Sequence, residues 1–154
     1  MTRTGRTAHR PDYGGYTMTA YKILVCDDEP HILHVVSAKL RNNGFDVLTA
    51  ADGAEGYELA RAEQPHLVFT DYQMPLLSGL ELCAKLRGDA RTAHIPAVML
   101  TARGFSLSEA DLSHTNIRKV LVKPFSPREV LATARQILDV SDAPTLIAAT
   151  DIGN

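Results

Sequence analysis

The chain has 154 residues, 45% hydrophobic and 22% charged, with a net charge of −2 and 2 cysteines. About 150 residues make one domain, able to bury a core without disulfides, so a disulfide scaffold is excluded. The sequence holds no apolar run of transmembrane length and no signal-peptide core, and its slightly negative net charge suggests no nucleic-acid surface; a cytoplasmic protein with neither membrane nor nucleic acid as partner is expected.

Residues 1–17 are polar and rich in Gly, Thr and Arg, without an apolar period. A flexible arm is expected over residues 1–20. The first apolar run, Ile23-Leu24-Val25-Cys26, precedes a helical stripe of Ile32, Leu33, Val36 and Leu40 that ends at Asn43-Gly44. The second, Val47-Leu48-Thr49-Ala50, leads to Asp52 and Glu55, spaced as an N-cap and its third helical residue; Ser78 and Glu81 repeat that spacing after the third, Leu67-Val68-Phe69-Thr70. After the fourth, Ala97-Val98-Met99-Leu100, a helix over 104–115 is supported only by sparse apolar residues. The fifth, Val120-Leu121-Val122, is followed by Ser126-Pro127-Arg128-Glu129, a cap with proline at the first helical position. Val130, Leu131, Ala134, Ile137 and Leu138 then share one helix face. Residues 141–154 are read as a tail too short for a second folded unit.

The apolar runs are continuous and not alternating, as in strands buried on both faces of a parallel sheet. Five strand–helix repeats over residues 21–140 predict a doubly wound α/β domain. Such sheets bind ligands at the carboxyl ends of their strands. Those ends carry Asp27 and Asp28, Asp71, Thr101 and Lys123. Three carboxylates so close together repel one another unless they share a cation, and hard oxygen donors suit Mg²⁺. An ammonium and a hydroxyl beside them are groups that meet phosphoryl oxygens.

Four separated motifs carry a resemblance: Cys26-Asp27-Asp28-Glu29-Pro30, Asp71-Tyr72-Gln73-Met74-Pro75 with Gly79, Leu100-Thr101-Ala102, and Lys123-Pro124-Phe125. Over about residues 20–141 the chain resembles the receiver domain of two-component response regulators. The resemblance implies a flavodoxin-like sheet of order 2-1-3-4-5 and a cis bond between Lys123 and Pro124. It implies Asp71 as the phosphoacceptor, taking a phosphoryl group from a sensor histidine kinase or a histidine phosphotransfer protein. Asp28, Asp27, Asp71 and the main-chain carbonyl of Gln73 would hold Mg²⁺. Lys123 would pair with phosphoryl oxygens, while Thr101 and Ala102 would shift on phosphorylation. Gln73 and Arg103 would flank attacking water and tune the lifetime of the acyl phosphate.

Two departures stand out. Receivers usually carry an aromatic residue or His three positions before the lysine, and here Val120 has no ring to turn inward. The approach to the fifth strand is Asn116-Ile117-Arg118-Lys119, a basic stretch in place of the usual Gly-Ala-acidic one. Competent phosphorylation with an unconventional output surface is therefore expected.

The leading reading is a stand-alone signalling switch acting through an unknown downstream protein, not an enzyme on an external substrate. A phosphatase of haloacid-dehalogenase type is the rival; it would need a second Asp two residues after the nucleophile, where Gln73 stands. A degenerate receiver used only for docking is the third reading. Cys26 and Cys83 are expected as inert buried thiols, His31 and His34 as a solvated helix face, and Phe45 and Tyr57 as packing residues.

Overall fold

The computed structural model describes residues 18–102, 106–140 and 146–148. Strand β1 (Met18–Ala20) runs almost directly into β2 (Lys22–Cys26), which begins a parallel sheet with β3 (Asp46–Ala50), β4 (Leu67–Asp71), β5 (Ala97–Thr101) and β6 (Ile117–Val122). The sheet order is β3-β2-β4-β5-β6. Counted from β2, this is the expected 2-1-3-4-5 order of a flavodoxin-like fold.

The central strands are apolar along most of their length because both sheet faces are covered. Ile23, Val25, Leu67, Phe69, Val98 and Leu100 pack on one face with Val36 and Leu40 of helix α1 (Pro30–Arg41) and Val130 and Ala134 of α5 (Pro127–Leu138). The alternate residues Leu24, Cys26, Val68, Ala97 and Met99 pack on the other, against Ala60 of α2 (Gly53–Glu63) and Leu82, Cys83 and Leu86 of α3 (Gly79–Gly88). Each large side chain fully buried here contributes about 1.5–3 kcal/mol. The edge strands differ from the continuous-burial expectation. Only Ala50 of β3 is fully buried, and β6 exposes Arg118, Lys119 and Val122.

Helix starts follow the spacings read from the sequence. Asp52 accepts from the Glu55 N–H, and Ser78–Glu81 and Ser126–Glu129 form reciprocal capping boxes. The weak helix expected over 104–115 is a correction: α4 is only Glu109–Ser113. Ser108 caps it, and it buries no residue, so no apolar face extends it. At the ends, β1 pairs antiparallel with β7 (Leu146–Ala148), placing two stretches that were expected in the arm and the tail in one small ribbon. The rest of the expected arm, residues 1–17, lies outside the described residues, as do 141–145 and 149–154.

One glycine fixes how α3 meets β4. A Cβ on Gly79 would come 2.1 Å from the Asp71 carbonyl oxygen. The Gly79 N–H donates to the Tyr72 carbonyl at 2.7 Å, so the helix start is seated directly on the strand end.

Candidate functional site

The carboxyl ends of β2, β4, β5 and β6 deliver the polar residues to one place. Asp28, Asp71, Gln73, Thr101, Ala102 and Lys123 line a single pocket, together with Glu29 and Tyr72. Asp27 sits beneath it, fully buried, and Asp71 and Thr101 are 6% and 2% exposed. Neighbouring residues at a strand end face opposite ways, so Asp28 is exposed where Asp27 is not.

The Lys123 ammonium organises the cluster. It donates to Asp71 Oδ1 at 2.9 Å and lies 3.5 Å from Glu29 Oε1 and 3.8 Å from Asp27 Oδ2. Its main-chain N–H donates to the Thr101 carbonyl at 2.7 Å, which locks the end of β6 to the end of β5. The Lys123–Pro124 bond is cis. Partial burial draws the lysine's pKa down, but the Asp71, Asp27 and Glu29 carboxylates outweigh it and hold the pKa above its usual value.

Burial pushes both inner carboxyls up. The Asp27 pKa rises to about 6 through desolvation and the nearby Asp71 charge, although the Glu29 N–H it accepts at 2.9 Å pulls the other way. Desolvation also raises Asp71, against the pull of Lys123. Asp27 Oδ2 accepts no hydrogen bond although it is buried. An orphaned carboxylate oxygen is costly unless a cation completes it. Carboxylate oxygens of Asp27, Asp28 and Asp71 lie within 4.8 Å of one another. Three hard donors around a negative, partly dry pocket fit a small divalent cation of the Mg²⁺ kind.

Among the described residues, one that the sequence singled out stands away from this pocket. Val120 is half-buried and packs with Leu107 against the cluster beneath α2 and α3. Arg103 lies outside the described residues. Cys26 and Cys83 are fully buried, and burial raises both thiols, Cys83 to about 12, so neither is a nucleophile. His31 and His34 are exposed, and Phe45 and Tyr57 pack against the core. Tyr72 and Glu29 line the pocket without a role read from the sequence, and Glu29 also meets Lys123. Its signal was positional: glutamate is a poor N-cap, yet it stands directly before Pro30 at the helix start.

Among the described residues no helix is long and apolar enough to cross a membrane. The sheet superposes on the chemotaxis response regulator CheY4 of Vibrio cholerae with a TM-score of 0.71, at 30% identity, covering 77% of this chain and 99% of that one. A CheY-like receiver domain from Methanospirillum hungatei gives a TM-score of 0.69 at 26% identity, over 79% of this chain and 95% of that one. In sequence, the chain is 40% identical over 121 residues to the DNA-binding dual master transcriptional regulator RpaA of Synechocystis, covering 79% of this chain and 50% of RpaA. It is 38% identical to the alkaline phosphatase synthesis transcriptional regulatory protein PhoP of Bacillus subtilis, over 79% of this chain and 49% of PhoP. The chain thus spans about half the length of these relatives, and the expected stand-alone status and absence of a nucleic-acid partner draw no support from them. Residues 23–135 match the response regulator receiver domain, and the chain belongs to that family.

Proposed function

We propose that the domain, acting in the cytoplasm, accepts a phosphoryl group on Asp71 from a histidine kinase or histidine phosphotransfer protein and signals by the change this makes at its surface. The observation that carries the reading is the Lys123–Asp71 contact of 2.9 Å beside the three-carboxylate group. An Asp71 oxygen attacks the phosphorus while the donor's bond to phosphorus breaks on the opposite side. Lys123, already at the acceptor, pairs with a phosphoryl oxygen, and Thr101 at the end of β5 offers its hydroxyl to another. Asp27, Asp28, Asp71 and the Gln73 carbonyl would hold Mg²⁺, which when bound supplies the positive charge that lets an anionic carboxylate meet an anionic phosphoryl group. The chain's own part is therefore positioning and charge neutralisation, with no general acid required. Gln73 in place of a second Asp speaks against the phosphatase reading, because an amide cannot protonate a leaving group.

The test is intact mass after incubation with acetyl phosphate and Mg²⁺. One phosphoryl group per chain is expected for the native protein, and none for Asp71→Ala or after chelation of the metal. A native protein that gains no mass would end the switch reading. Repeated turnover of a generic phosphate ester would favour the phosphatase in its place.

A further inference from the structure

We propose that Glu29 is a specificity-determining residue of this pocket, one that favours phosphoryl donors with a protonated nitrogen leaving atom over donors that release a carboxylate. The inference rests on Asp71 being the phosphoacceptor. Glu29 occupies the N-cap of α1, but its side chain makes no hydrogen bond to the helix. It lines the same pocket as Asp71 and lies 3.5 Å from Lys123, a lysine already bonded to Asp71. It also stands outside the three carboxylates grouped to share a cation. Its charge is thus needed neither by the helix nor by a metal, and with its side chain 62% exposed it lies at the rim.

The two donor classes differ in the charge that forms there. With acetyl phosphate the P–O bond breaks, the electron pair leaves on acetate, and a new P–O bond forms to Asp71. The departing group gains negative charge beside Glu29. With phosphoramidate the P–N bond breaks and the pair leaves on a nitrogen that already carries its protons, giving ammonia. That nitrogen is cationic before transfer, and its N–H groups are donors for the Glu29 carboxylate. A rim carboxylate therefore opposes the first reaction through a repulsion that grows as acetate forms, an effect on rate. It favours the second by binding the cationic nitrogen, an attraction that weakens as the electron pair neutralises that nitrogen, so this effect falls mainly on binding. At contact distance in a wet rim, one unit charge is worth about fivefold.

The experiment measures the initial rate of Asp71 phosphorylation against donor concentration for acetyl phosphate and for phosphoramidate, with Mg²⁺, in the native chain, Glu29→Gln and Glu29→Asp. Glu29→Gln should lower the phosphoramidate-to-acetyl-phosphate efficiency ratio about fivefold, with the difference shrinking at high salt. Glu29→Asp, which keeps the charge, should keep the native ratio. A ratio unchanged in Glu29→Gln, or both donors altered equally, overturns the inference while leaving Asp71 as acceptor. A native chain phosphorylated by neither donor overturns the acceptor reading and this one with it.

Discussion

The two sides of the pocket are built differently. On the acceptor side, every residue of β4 is buried, Asp71 is seated on α3 through Gly79, and α3 buries Leu82, Cys83 and Leu86. On the far side, α4 buries nothing, Leu112 is 47% exposed and Val122 46%, and β6 joins β5 through a register shift. The acceptor is thus placed by packing, while α4 is held mainly by local hydrogen bonds. A rigid nucleophile beside a lightly held neighbour suits a switch: the chemistry needs a fixed geometry, and the response needs a part that moves at low cost.

The largest expected contrast comes from side-chain changes on the two sides. Gly79→Val puts atoms where the Asp71 carbonyl stands, so α3 or the end of β4 must move. A loss of about 3 kcal/mol or more is expected in urea unfolding. Leu112→Ala on α4, at a side chain already 47% exposed, should cost far less, about 1 kcal/mol or below. Equal costs would mean that α4 is packed as firmly as α3, and the contrast would be lost.

The next effect separates the two adjacent aspartates. The folded Asp27 pKa, about 6, lies above its ordinary 3.8, so the folded state binds that proton more tightly than the unfolded one. The resulting stabilisation is fully present below about pH 4 and is lost as pH rises through about 6. At pH 7.5 and without metal, the buried charge then costs up to about 3 kcal/mol. Asp27→Asn keeps the acceptor for the Glu29 N–H and removes that charge. It should therefore be the more stable protein at pH 7.5, show little gain at pH 4, and lose most of the stabilisation that Mg²⁺ gives the native chain. Melting curves at both pH values decide it, and a variant less stable than native at pH 7.5 would show that the Lys123 ammonium 3.8 Å away outweighs the burial of the Asp27 charge.

What was legible in the sequence follows the same division. β2, β4 and β5 announce themselves because two covered faces demand unbroken apolar runs, and the caps at Asp52, Ser78 and Ser126 are local chemistry written in three or four residues. The strand-end residues were legible because the strand–helix alternation fixes where each strand stops. Tertiary facts were not. Asp27 and Asp28 read as equals, and only the direction of the β2 end buries one and exposes the other. The role of Glu29 depends on a lysine 94 positions away. The length of α4 was misread because its sparse apolar residues leave no face for the domain to cover. The pairing of β1 with β7 joins distant parts of the chain through backbone bonds, which carry no side-chain pattern.

The smallest predicted effect is also the sharpest comparison, because nature has placed the same device on both sides. Ser78–Glu81 starts α3 and Ser108–Asp111 starts α4, each a reciprocal capping box with its two bonds between 2.9 and 3.1 Å. Locally, Ser→Ala removes one acceptor from each helix start, a change typically worth about 1 kcal/mol. The global cost depends on whether the helix is part of the unit that unfolds cooperatively. Ser78→Ala frays a start seated on the Asp71 strand end, so about 1 kcal/mol should appear in the unfolding free energy. Ser108→Ala frays a helix that buries nothing, so global unfolding should hardly change, while amide exchange over residues 110–114 accelerates about fivefold or more. A global loss from Ser108→Ala matching that from Ser78→Ala would show that α4 belongs to the cooperative core, and the movable side of the pocket would have to be sought elsewhere.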